Sequence, residues 1–158
     1  MDNATPSVGS DAMTRLITRR VPVSRSLTPQ EVLDTTGCKQ YTRCEIVDSM
    51  PRGQGNEAEV IFFQPRPEAY KDGLISDDDL KREFEHFKLD SAFPDDVAAV
   101  NAADLSFSDS HPNGTHWKDA KGNWCYIAFD RWDDERHVRV YRCVSDWDDD
   151  WWFAGRRK

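Results

Sequence analysis

Long apolar runs are missing from this chain. None approaches the roughly 18 residues that span a bilayer, and Arg15, Arg19 and Arg20 break up the one candidate stretch near the N-terminus. Neither a membrane segment nor a secretory leader is expected, and the setting this implies is cytoplasmic. Cysteine is scarce too. Cys38, Cys44, Cys125 and Cys143 include one close pair, whose five intervening residues exceed the two to four typical of zinc hairpins. Reduced, mostly buried thiols are expected, with no metal site and no cofactor. Glycine pairs are equally few. Gly53-Gln54-Gly55 has the spacing of a phosphate loop but no Walker lysine, and strand-like residues follow it instead of a helix. No repeat of solenoid length is present.

Positive charge is also in deficit. The 158 residues carry 21 Lys and Arg against 29 Asp and Glu, a net charge of −8. Residues 1–56 hold seven basic and six acidic side chains, residues 57–150 hold 11 and 23, and the last eight residues add three basic ones. Affinity for nucleic acid comes largely from Lys and Arg displacing counterions, so this acidic body argues against direct nucleic-acid binding. Surplus charge of this kind commonly serves solubility. A sharper use would be an inhibitor that mimics nucleic acid and blocks a nucleic-acid enzyme, drawing on the aspartates of 146–150. With 38% hydrophobic and 32% charged residues, the chain reads as globular. Its length fits a single domain over residues 14–158 behind a frayed tail at 1–13.

Local signals outline an α+β order. Residues 14–23 suggest an edge strand. Thr28, Pro29 and Glu31 form a capping box that opens a short helix over 29–36, closed by Gly37. Residues 43–48 and 57–63 read as strands separated by a Pro- and Gly-rich turn. Ser76 caps a second helix, with Asp77, Asp78 and Asp79 at its positive end and Leu80, Phe84 and Phe87 forming one apolar stripe. A third helix is expected over 94–103. Strands near 115–118, 123–132, 137–144 and 151–156 then read as an antiparallel meander. The fold class predicted is α+β: an antiparallel sheet with a C-terminal β-meander and two to three short helices packed on one face.

All six tryptophans fall between Trp117 and Trp152. Pairing Trp132 with His137 across the turn sets Phe129 opposite Val140, Asp130 opposite Arg139 and Tyr126 opposite Cys143. Cys125 and Cys143 then lie on opposite sides and should not bridge. One face of the meander holds Cys125, Ile127, Phe129, Val138 and Val140 and is assigned to the core. The other holds Trp124, Tyr126, Trp132, His137, Arg139 and Tyr141, the residue types that dominate binding hot spots. A second layer covering that face is the competing expectation.

Two segments could carry chemistry. Asp109-Ser110-His111 and His116 bring a carboxylate, a hydroxyl and two imidazoles into eight residues, so a hydrolase or metal enzyme using His111 and His116 is an alternative reading. Sequence neighbours seldom point at one another, however, and Pro112-Asn113-Gly114 marks a turn there. Asp146, Asp148 and Asp150 start like a calcium loop, yet Trp151 and Arg157 stand where glycine and glutamate are required. An aspartate-capped turn is expected instead.

The segments His116-Trp117-Lys118-Asp119, Gly122-Asn123-Trp124-Cys125, Asp146-Trp147 and Trp151-Trp152-Phe153-Ala154-Gly155, with Leu27-Thr28-Pro29-Gln30-Glu31 and Ala98-Ala99-Val100-Asn101, support a resemblance. Over residues 24–158 the chain resembles a group of small uncharacterised bacterial proteins that share a Trp-rich C-terminal stretch. That resemblance implies a bacterial, cytosolic setting and carries over no catalytic residue. The expected function is a small acidic, non-enzymatic domain that binds a protein or peptide through Trp124, Tyr126, Trp132, His137, Arg139 and Tyr141, without membrane or nucleic-acid contact.

Overall fold

The computed structural model describes residues 16–158. The tail expected over 1–13 and the start of the expected edge strand lie outside them. Strand β1 (Ile17–Pro22) is followed by α1 (Pro29–Asp34), β2 (Lys39–Thr42), α2 (Cys44–Asp48) and β3 (Glu57–Phe63). A two-residue β4 (Leu74–Ile75) leads into α3 (Asp77–His86), β5 (Leu89–Ser91), α4 (Pro94–Ala103) and α5 (Phe107–Ser110). The chain ends with β6 (Asn113–Lys118), β7 (Trp124–Trp132), β8 (Glu135–Arg142), β9 (Trp147–Asp148) and β10 (Trp152–Arg157). The class is α+β. Among the described residues no helix is long and apolar enough to cross a membrane.

Helix starts follow their local chemistry. The Thr28 hydroxyl accepts from the Glu31 backbone while the Glu31 carboxylate accepts from the Thr28 backbone, a complete capping box. Ser76 likewise accepts from the Asp79 backbone at the head of α3. Residues 43–48 depart from the strand expected there. Ile46 and Val47 both enter one core, where strand neighbours would point to opposite faces, and the helical turn of α2 allows it.

The main sheet runs β1-β3-β10-β6-β7-β8-β2, with β5 attached to β10. Strands β6, β7 and β8 form the expected meander, but β10 does not continue it. It inserts between β3, antiparallel, and β6, parallel. Phe153 and Ala154 point to opposite faces and are both fully buried, so this strand belongs in the middle of a sheet covered on both sides. Gly114 makes the neighbouring β6–β7 approach possible, because a Cβ there would lie 2.4 Å from the Ile127 carbonyl oxygen.

The β7–β8 register is two residues tighter than expected. Trp132 faces Glu135, Phe129 faces Val138, Asp130 faces His137 and Tyr126 faces Tyr141. Asp133 and Asp134 both take positive φ, 55° and 63°, closing a two-residue turn whose twist suits a hairpin. A slip of two preserves the faces, so Cys125, Ile127, Phe129, Val138 and Val140 all lie in the core as assigned. Cys125 and Cys143 remain separate thiols.

Both sheet faces are packed. One carries that core under Leu33 of α1, Val47 of α2, Val97 of α4 and Phe107 of α5, so the expectation of short helices on one face holds for α1 and α4, and the unexpected α2 and α5 join them. Helix α3 differs. Its Leu80 and Phe84 join Phe63, Phe153 and Trp147 on the opposite face. The Gly53–Gly55 turn is a structural buckle. Arg25 donates Nε to the Gly55 carbonyl at 2.7 Å and Nη2 to the Gln54 carbonyl at 3.0 Å, and its Nη1 reaches Asp95 and Asp96 at the start of α4.

Candidate functional site

The aromatic face of the meander is divided by a second layer. The β4–β9 ribbon lays Trp147 against Tyr126, ring centroids 5.3 Å apart, and Trp147 is itself buried. On one side of this ridge, Trp124 is half-buried and stacks on His116 at 4.1 Å. On the other side, Tyr126, Arg139 and Tyr141 are half-buried, Trp132 is 65% exposed, and His137 does not reach solvent at 2%. His137 lies beneath Tyr41, 5.1 Å away, and Trp132, 6.3 Å away. The six residues expected to form one surface therefore share a face but serve two different places.

The outer place is a groove over β7 and β8. Tyr126 stands between a hollow of about 440 Å³ walled by Ile46, Tyr141 and Val144 and one of about 200 Å³ walled by Leu74, Arg139 and Trp151. Strand β2 brings Tyr41 opposite Arg139 at its rim, a contribution the sequence did not disclose. The basic groups here are already engaged: Arg139 with Asp130 at 2.7 Å, and Arg43 with Glu45 at 3.1 Å. Asp146, Asp148, Asp149 and Asp150 have no basic partner among the described residues. Asp148 Oδ1 accepts from the Asp150 backbone at 3.0 Å, the aspartate-capped turn expected. The Asp148, Asp149 and Asp150 carboxylates converge within 4.8 Å, all exposed.

The residues read as a possible acid–base group are distributed differently. Asp109 is held by Arg136 at 2.7 Å and Arg131 at 3.2 Å, and these bonds keep its carboxyl below the ordinary range. The His111 ring bonds only the neighbouring Ser110 hydroxyl among the described residues and stacks on Phe107. His116 instead meets Asp77 of the aspartate triplet, Nδ1 to Oδ1 2.7 Å, inside the molecule. The Trp147 indole donates to the same Oδ1 at 3.0 Å. Asp77 opens α3 where a capping aspartate was expected, but its side chain turns inward. Only the fold brings α3 onto β6, so no spacing rule could find this pair.

Burial is the largest influence on His116 and pushes its imidazole below the ordinary 6.5, against the pull of Asp77. Burial would raise Asp77, but hydrogen bonds from His116 and Trp147 outweigh it and hold the carboxyl below 3.8. At neutral pH the pair is thus a neutral imidazole donating Nδ1–H to a carboxylate, with Asp78 and Lys118 the other charges acting on the ring. An imidazole depressed on folding takes up its proton first in the unfolded chain. Stability will therefore fall as pH drops below about 6.5, at no more than about 1.4 kcal/mol per pH unit from this group. Urea unfolding between about pH 7 and pH 5 will show that slope in the native chain and its reduction in His116→Gln. Equal slopes would reject this assignment.

The fold and groove define an α+β protein with a partly roofed aromatic face. Comparison with family models, with curated proteins and with solved structures finds no match to this chain.

Proposed function

We propose that this protein is a small interaction domain that binds a protein segment through the groove over β7 and β8. One observation carries the reading. Of the five exposed large apolar side chains among the described residues, Leu74 and Val144 wall the two hollows and Tyr41 and Trp132 lie over His137 on the same face. Scattered exposed apolar groups are ordinary, whereas their concentration around a concave aromatic floor marks a docking surface. The uncompensated charge on the rim is acidic, so the fitting partner is an apolar segment flanked by Lys or Arg. The nucleic-acid-mimic alternative has less support, since Asp77, Glu83, Asp95 and Asp96 are buried and unavailable for an acidic surface rail.

Synthetic peptides with one apolar core and either Lys or Glu flanks test the proposal by fluorescence titration. The Lys-flanked peptide should bind, and Trp132→Ala or Val144→Ser should each weaken it by roughly tenfold, the loss typical of a hot-spot truncation. Both side chains are exposed, so these variants keep the fold. Equal affinity for both flanks, or unchanged affinity in both variants, would overturn the reading.

A further inference from the structure

The split between β6 and β10 creates a second concave site, independent of the groove. These parallel strands pair only at Asn113–Trp152 and Gly114–Phe153. Beyond that point β10 leaves to pair with β5, and a cleft of about 440 Å³ opens between β5 and the carboxyl end of β6, with Arg156 and Lys158 at its margin.

His116 lines this cleft although its side chain is only 1% exposed. Its Nδ1 is turned back to Asp77, which does not line the cleft. The ring edge away from Nδ1 carries Nε2 and Cδ2, and Nε2 has no hydrogen-bond partner among the described residues. Phe84 and Trp124 stack against the ring, 5.4 Å and 4.1 Å away, and hold it in place. With Nδ1–H donating to the Asp77 carboxylate, Nε2 presents a lone pair that accepts a hydrogen bond.

The surroundings are cationic in an acidic chain. Lys81, Lys118, Arg156 and Lys158 line the cleft against Glu85 and Asp90. Asp90 serves two of the cations, Arg156 at 3.8 Å and Lys158 at 3.7 Å. Lys81 and Lys118 have no carboxylate partner among the described residues, and the Lys118 ammonium lies 4.8 Å over the Trp124 ring. Phe93 adds an apolar wall.

We infer that this cleft binds a small organic anion with an apolar body and a hydroxyl group. The anionic end lies between Lys81 and Lys118, and the hydroxyl donates to His116 Nε2. A carboxylate and a phosphate monoester share this chemistry, and the volume accommodates a single-ring molecule of either kind. Asp77 is a positioning residue that fixes the ring and its tautomer.

The test uses the full chain with 4-hydroxybenzoate and 4-hydroxyphenyl phosphate as probes, and phenol and benzoate as controls. Binding is followed through the His116 ring-nitrogen and Trp124 indole resonances. At least one hydroxylated anion should shift both signals saturably and bind more tightly than phenol, which lacks the charge, and benzoate, which lacks the hydroxyl. The preference for the carboxylate or the phosphate probe identifies the anion. The double variant Lys81→Gln/Lys118→Gln alters exposed side chains and should weaken binding by roughly tenfold without loss of fold. His116→Gln should remove the preference for the hydroxyl. No shift with either anion at millimolar concentration, phenol binding as tightly as the anions, or unchanged affinity in the lysine variant would overturn the proposal.

Discussion

Replacing Arg25 with methionine will destabilise the protein by about 3–5 kcal/mol, the loss expected when one partner of a buried ion pair is removed. Arg25 Nη1 lies 2.8 Å from Asp95 and 2.6 Å from Asp96, whose side chains are only 4% and 11% exposed. Without the guanidinium, two neighbouring carboxylates would remain inside, with Arg156 the other positive charge acting on Asp96. Burial already pushes the Asp96 carboxyl above its ordinary value, and Arg25 is what restrains it. The same guanidinium holds the Gln54 and Gly55 carbonyls, so Arg25→Lys will recover charge but not the buckle and should lose an intermediate amount. Adding Asp96→Asn to Arg25→Met should restore part of the stability. Urea unfolding of the single and double variants decides this, and an Arg25→Met loss below about 1 kcal/mol would place the network at the surface in energetic terms.

Asp77→Ala should cost about 3 kcal/mol. It removes the acceptor shared by His116 Nδ1 and the Trp147 indole, leaving two buried donors unpaired at about 1–3 kcal/mol each. Asp77 also ties α3 to β6 and β9, so part of this loss will come from loosened packing of Trp147. Asp77→Asn keeps one acceptor oxygen and should lose less. Denaturation followed by tryptophan fluorescence gives both values, and equal stability of Asp77→Ala and the native chain would remove Asp77 from its assigned role.

Both results depend on residues whose partners are distant in the chain, which is where sequence reading has least reach. The capping box at Thr28, the α3 stripe and the meander faces were legible because each depends on spacings of a few residues. The inward assignment of Ile127, Phe129, Val138 and Val140 survived a register error, since strand faces repeat every two residues. The error itself came from the turn. Asp133 and Asp134 adopt positive φ, which aspartate tolerates but does not announce. The Asp-Ser-His segment looked chemical because its residues are adjacent, yet the fold gives Asp109 to two arginines and His116 to Asp77.

Periodicity and capping act over one or two turns of chain, so the α+β class, the starts of α1, α3 and α4 and the apolar side of the meander are legible in residue order. The entry of β10 into the sheet centre, the separate places of Trp124 and Trp132, and the position of His116 at a cationic cleft are set by long-range packing. Those outcomes follow from the docking of α3 and the β4–β9 ribbon on the second sheet face, a long-range burial of apolar surface that no local pattern encodes.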